Sequence, residues 1–321
     1  MRVGAAAVVL AVASASSALG AQGGLSTEGA LFLLVPVGAR SVGSGQTVAT
    51  AEAGSESLWG NPAGLARMTR PELALHYSQT VVANGSVLAF VYPAGKAGVV
   101  AVGVQSYDYG AQEFTDNVGP IGSGSPRAVV VAATYAATLG PRLRAGVSYK
   151  LVQSRLDCTG VCPDLSSFTS SSTALDAGLQ YQTERRDSLR VGLALRSLGL
   201  RLQVNDNAQA DPLPTRLHLG VSAVVPQIAI ALAGAELRWA AELVNRTSLN
   251  EPAFRVGAEL GLQRQVFLRG GYATGIGEVA GPAFGLGFVR GKLALDFARV
   301  FGGFSSDFGV PPTYLTLRVS F

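Results

Sequence analysis

The sequence predicts an all-β fold, a 14-stranded antiparallel transmembrane β-barrel whose lumen is filled by an N-terminal plug. From Pro71 onward, runs of about ten residues alternate apolar with small or polar side chains and are separated by turns, as barrel strands do. Mean hydropathy is +0.31 with only 14% charged residues, well below the roughly 25% of a soluble domain. No stretch after residue 21 supplies the roughly 18 consecutive apolar residues of a membrane helix. The hydropathy therefore sits in short alternating segments, and a chain this apolar is not expected to be disordered.

Residues 1–21 read as a secretory signal peptide: Arg2, an apolar stretch from Val3 to Val12, then a small-residue tail. Cleavage is expected after Gly20 or Ala21, with a short uncleaved anchor as the alternative. No cysteine near that point supports a lipid anchor.

Residues 22–70 break the alternation and are rich in Gly, Ala and Ser. Within them Asn61 stands at an N-cap and Pro62 at the first helical position of Asn61-Pro-Ala-Gly64, a strong helix start. A short helix and loops leading into a barrel have one roomy destination, the lumen. Few large apolar side chains are seen in this segment beyond Leu31, Phe32, Leu33 and Leu34.

Residues 71–321 form the barrel. The expected strands are 72–82, 86–93, 97–106, 127–138, 142–155, 173–183, 188–202, 215–225, 235–245, 253–263, 265–273, 282–290, 292–299 and 313–321. In 142–152, Leu143, Ala145, Val147, Tyr149 and Leu151 oppose Arg142, Arg144, Gly146, Ser148 and Lys150. A soluble sandwich would alternate as well. Here, however, the polar face is glycine and charge, while the apolar face is a belt of Leu, Val, Ala and Phe that includes Tyr149, Tyr181, Trp239 and Tyr272. Connections alternate long and short, as periplasmic turns and outer loops do. The misfit is 226–234, which should be short and contains apolar residues from Ile228 to Ala233. The final strand ends on Phe321, with Leu315, Leu317, Val319 and Phe321 on one face.

The polar face carries Arg144, Lys150, Arg190, Arg196, Arg216, Arg238, Arg255, Arg269 and Arg318, interspersed with Asp176, Glu236, Glu242, Glu259 and Asp296. Arg40 and Glu56 of the plug are placed to pair with it. This array reads first as a salt-bridged interior. A ligand-guiding lumen built on Arg40, Arg144, Arg190, Arg216, Arg255, Arg269 and Glu259 is the second reading. Cys158 and Cys162 lie in a polar loop of an exported chain, where a disulfide is expected. With His76 and His218 the only histidines, zinc chemistry is not expected. No Gly-x-Ser-x-Gly element accompanies them, so no enzyme and no cofactor is expected. The net charge is +4, but basic residues are spread singly, which argues against a nucleic-acid partner.

The chain resembles the PorV/PorQ family within the broader FadL-type group of outer-membrane barrels. The resemblance rests on Val37-Gly-Ala-Arg40, Asn61-Pro-Ala-Gly-Leu65, Thr173-Ala-Leu-Asp-Ala-Gly-Leu179, Leu213-Pro-Thr-Arg-Leu-His-Leu-Gly220, Val256-Gly-Ala-Glu259 and Leu268-Arg-Gly-Gly-Tyr272. It departs at Ser44-Gly-Gln46, where Met-Gly-Gly is usual, and at Gly60, where an aromatic residue is common. The resemblance implies a bacterial outer-membrane location among lipid and one of two roles. PorV-type members serve a type IX secretion system, with exported proteins or secretion components as partners. FadL-type members take up hydrophobic small molecules such as long-chain fatty acids through a gated lumen. The closer motif match and the few large apolar residues of the plug tilt the expectation towards a platform for exported proteins or a structural barrel, with the gated channel as the alternative.

Overall fold

The computed structural model describes residues 28–117, 119–162, 167–183, 189–202, 210–225, 234–246, 252–274 and 279–321. The expected signal peptide, residues 22–27 and the misfit stretch 226–233 lie outside them. The period-two runs form β1 (Glu72–Gln79), β2 (Asn84–Pro93), β3 (Val99–Asp108), β4 (Gln112–Thr115), β5 (Pro120–Thr138), β6 (Leu143–Gly160), β7 (Phe168–Gln182) and β8 (Arg190–Gly199). They continue as β9 (Arg216–Val225), β10 (Ala235–Arg246), β11 (Ala253–Leu262), β12 (Val266–Ala273), β13 (Gly281–Arg290), β14 (Leu293–Val300) and β15 (Thr313–Ser320).

All strands belong to one antiparallel sheet. β4 pairs only with the extended end of β5, so β3 meets β5 directly. The first strand pairs with the last, from Glu72↔Ser320 to Gln79↔Thr313. That pair closes a 14-strand barrel, which leaves no open edge. We call the end holding Glu72 and Ser320 the near end, and the opposite end, with the longer connections, the far end.

Alternation sorts side chains between the two surfaces. On β6, Val147 is 54% exposed on the outer face, whereas Lys150 is 1% exposed on the inner one. Outward Leu75, Leu88, Val102, Leu175, Val256 and Leu295 continue an apolar belt around the barrel.

The largest departures from expectation are at the far-end termini of β1, β5, β6, β7 and β8. The connection 107–126 contains β4, and β5 begins at Pro120 because it stays paired with β6 as far as Gly122↔Gly160. Cys158 consequently stands within β6, opposite Gly124, rather than in a loop, and is disulfide-bonded to Cys162 with 6.4 Å between Cα atoms. β1 stops at Gln79. β8 ends at Gly199 after a bulge, where the register against β7 shifts between Leu175 and Ala177 and Ser197 adopts φ 56°. The Asp176 carboxylate accepts the Ser197 N–H at 2.7 Å and meets Lys150 Nζ at 2.5 Å, which accounts for the bulge's position.

The inner wall has two halves. On β2, β3 and β5 the inward residues are mostly apolar, with Val87, Ala89, Val91, Val99, Ala101, Ala128, Val130, Ala132 and Ala136 all buried and Gln105 and Thr134 as polar exceptions. On β8 to β15 Arg190, His218, Glu242, Glu259, Arg269, Asp296 and Thr316 face inward, largely buried but polar, beside a smaller apolar patch in which Ala283, Ala298, Val300 and Tyr314 pack with Ala39 and Val42.

Candidate functional site

The N-terminal segment, residues 28–70, runs from the far end to β1 and touches both halves of the inner wall. At the far end Arg216 forms a double hydrogen bond with Glu28, at 2.7 and 2.5 Å, and Gly29 donates to the Pro212 carbonyl. A 3-10 turn at Leu31–Leu34 then buries Phe32 and Leu33, with the Phe32 ring 6.1 Å from that of Tyr107.

A short helix, α1 (Ala39–Gly43), follows. Its first N–H groups lack partners within the helix. The Glu56 carboxylate accepts those of Arg40 and Ser41, and Thr316 Oγ1 accepts that of Ala39 at 3.0 Å. Gly38, at φ +90°, turns the chain into this helix, and a Cβ there would collide with Glu56.

The next residues lie flat against the polar half. Glu242 Oε2 accepts the N–H groups of Val48 and Ala49, both at 2.7 Å, while its Oε1 meets His218 Nδ1 at 2.7 Å. Close approach requires inward glycines. A Cβ at Gly192 would strike the Ala49 carbonyl, one at Gly257 the Ser44 carbonyl, and one at Gly271 the backbone of Gly45.

The chain then reaches Asn61. Its Oδ1 accepts the Ala63 N–H at 3.1 Å, the N-cap bond that opens the 3-10 helix Pro62–Arg67. Its Nδ2 donates to the carbonyls of Ala49, Leu179 and Leu193, so one buried amide ties two parts of the segment to β7 and β8. Pro62 sits against Gly146 and Gly178, and Gly64 against Ser57.

The arginines and carboxylates of the polar face form ion pairs. Arg40 contacts Glu259 at 3.2 Å, Glu259 meets Arg269 at 2.6 Å, and Arg269 meets Asp296 at 2.7 Å. Asp296 meets Arg318 at 2.7 Å, and Arg318 lies 3.9 Å from Glu72. The line thus runs from α1 through β11, β12, β14 and β15 to β1. Arg190 and Arg238 both hold Glu52, at 2.9 and 3.0 Å. Arg255 donates to the Gln46 carbonyl at 3.0 Å. Arg144 Nη1 has no hydrogen-bond partner among the described residues. The structure therefore joins Arg40, Glu259 and Arg269 in one network, sets Arg190, Arg216 and Arg255 at separate anchors of the segment, and leaves Arg144 apart.

Charges on the segment respond to this setting. Burial works to lower the Arg40 guanidinium, but Glu259 and Glu52 outweigh it and hold it above its ordinary value. Burial works to raise Glu52, and Arg190, Arg238 and Arg67 reverse this, holding its carboxyl well below the usual range. Glu56 is raised, by burial first, against the pull of Arg318. Burial takes Arg67 down to about 9. A cavity of about 60 Å³ lies between the segment and β9 to β11, bordered by Arg40, Glu52, Glu56, Arg238, Glu259 and Arg318. Its lining suits a few waters better than an apolar guest.

Sequence reasoning missed the opposite face of the segment. Leu58 and Leu65 are fully buried and Trp59 is 3% exposed. They pack in one apolar cluster with Phe32, Leu33, Val91, Val99, Val130, Val152, Leu202 and Leu213. The segment is thus not confined to residues 31–34 for its large apolar side chains. The signal was present in 86–104 and 127–138, where Val and Ala occupy both strand faces. Within the cluster, Lys150 lies 5.9 Å from the Trp59 ring centroid.

The fold is a closed 14-stranded antiparallel barrel like that of FadL-type proteins. It superposes on the Ralstonia pickettii toluene transporter TbuX with a TM-score of 0.57 at 17% identity, covering 88% of this chain and 98% of that one. The CymD monoaromatic hydrocarbon channel gives 0.57 at 14% identity, over 92% and 98%. A Pseudomonas aeruginosa FadL homologue gives 0.52 at 10% identity, over 89% and 98%. No known protein family's sequence profile matches the chain, and no curated protein does. The structural likeness is to the fold of FadL-type barrels.

Proposed function

We propose that the protein is a gated channel of the bacterial outer membrane that takes up hydrophobic small molecules, with residues 22–70 as its plug. The observation that carries this reading is the mostly apolar lining of β2, β3 and β5, joined by Val152 of β6. It runs from Phe32, Tyr107, Leu202 and Leu213 at the far end to Leu58, Trp59 and Leu65, the kind of apolar lining that ligand sites use. The structures it is similar to include a toluene transporter and a monoaromatic hydrocarbon channel. That supports the uptake reading over the export platform implied by the PorV/PorQ resemblance. With the plug seated on glycines of the wall, passage of even one aromatic ring needs the plug to shift, and that shift is the gate. The ion-paired arginines hold the plug, and a carboxylate headgroup competing for them has to displace Glu28, Glu52 or Glu259.

The test is uptake of radiolabelled toluene and oleate by bacteria that lack channels of their own for hydrophobic compounds and express the full chain. Uptake above the vector control is expected, with loss in Ala132→Arg, which places a charge in the apolar lining. Uptake equal to the control for both compounds, with folded barrel present in the membrane, overturns the reading.

A further inference from the structure

Charge is distributed unequally between the two rims. In the described near-end connections and the strand ends beside them, every charged side chain that faces away from the lumen is basic: Arg70, Lys96, Arg142, Arg264, Arg290 and Lys292. All six are exposed. Arg70, Lys96, Arg264, Arg290 and Lys292 form no ion pair among the described residues. Among the described residues the near-end carboxylates sit at lumen-facing positions, although Glu236 is half-exposed. Glu72 is buried beside Arg318, and Glu236 pairs with Arg238 at 2.9 Å. The far end is mixed: Arg127 pairs with Asp108 and Arg155 with Asp157, and Glu113, Asp116 and Asp307 stand in its connections.

The basic rim lies directly beneath the outward apolar belt. Tyr92, Tyr181, Phe288 and Phe321 are about half-exposed on the outer face at the same end, and aromatic side chains of that kind mark a membrane interface. Lys and Arg beside such a girdle bury their stems against the apolar surface and hold the charge at headgroup depth. A row of single positive charges spaced around a circumference does not suit one compact anion. It suits a sheet of anions.

We propose that the near-end rim is a docking surface for anionic glycerophospholipid headgroups of the leaflet it meets, which fixes the barrel's depth and orientation. The inference rests on the reading of the apolar belt as membrane-facing. Basic residues near an anionic leaflet each strengthen attraction by a factor of about five, fading within a Debye length.

The experiment uses the full chain in nanodiscs of mixed phosphatidylcholine and phosphatidylglycerol, with lipids retained by the ejected protein counted by native mass spectrometry. A preference for phosphatidylglycerol of about tenfold is expected from several such contacts. It should fall towards parity in the combined Lys96→Gln, Arg264→Gln, Arg290→Gln and Lys292→Gln variant, and hold in Arg127→Gln with Arg155→Gln at the other rim. Parity in the wild-type protein overturns the proposal, as does a preference unchanged by the near-end variant or lost equally in the far-end one. If the near-end variant does not fold, ionic strength decides, because a wild-type preference that survives high salt is not electrostatic. A chain that fails to enter the nanodisc at all overturns the membrane reading itself, whereas parity in an inserted barrel overturns only the docking.

Discussion

The two halves of the inner wall hold the same N-terminal segment by different physics. Towards β1, β7 to β11 and β15 the segment is fixed by hydrogen bonds and ion pairs, such as Val48 and Ala49 on Glu242 or Glu52 on Arg190. Towards β2, β3, β5 and β6 its contacts are mainly apolar, built on Leu58, Trp59 and Leu65, with Lys150 over the Trp59 ring as the charged exception. Directional bonds define one position, and a buried charge stripped of its partner is severely penalised. Apolar burial scales with area, at about 25 cal/mol per Å², and is indifferent to small slides. A hydrophobic guest can compete for the second kind of contact but not the first. In the proposed channel the polar half would therefore be the fixed side of the gate and the apolar half the side that yields.

The strongest way to break this comparison removes both halves at once. Deleting residues 28–70 should leave an assembled barrel whose conductance in planar bilayers rises by about tenfold or more, towards that of a water-filled lumen. Unchanged conductance would show that something else closes the pore.

A second change attacks only the polar half. Glu242→Gln leaves His218 and Arg255 without their carboxylate and weakens two backbone anchors. We expect a loss of about 3–5 kcal/mol, read as release of the segment to protease at a lower temperature. A spin label at position 48 should become mobile.

The matching change in the apolar half is Leu65→Ala, with an expected loss of about 2–5 kcal/mol from the cavity it leaves. The label at 48 should stay immobile here, because the polar anchors remain. Mobility equal to that of Glu242→Gln would erase the distinction between the halves.

The smallest effect is in pH. The folded Glu52 carboxyl is held below its ordinary value of 4.5, so its contribution is complete above that value and disappears as pH falls beneath it. Glu56 is raised, so its carboxyl favours the folded form below the ordinary value and loses that contribution as pH rises through the raised one. Acid release of the segment, followed by protease between pH 5 and pH 3 (roughly the carboxylate range), should be shallower in Glu52→Gln than in the wild-type protein.

The strands were legible because alternation is a local property. Each of the fourteen barrel strands overlaps a segment where the pattern placed it, although the far ends of β1, β5, β6, β7 and β8 do not coincide, and the Asn61 cap follows from two adjacent residues. The charged face was legible as an array but not as a network. Nothing in the spacing of Glu259, Arg269 and Asp296 says that Arg40 joins them, since a contact across 219 residues depends on barrel closure. The second role of Asn61, tying Ala49 to β7 and β8, was hidden for the same reason. The apolar half could have been read from Val87, Ala89 and Val91 facing inward opposite an equally apolar outer face. The bulge at Ser197 had no local signal, because Asp176 on the neighbouring strand sets it.

The anchors also imply an order in time. The segment is synthesised before any strand, yet the residues that bind it by charge or amide lie on β7 and later, Glu72 and His76 apart. Contacts so distant in sequence form late. A segment made before the barrel strands is therefore among the last to find its place, and it does so inside a wall that only β15, pairing with β1, brings to completion.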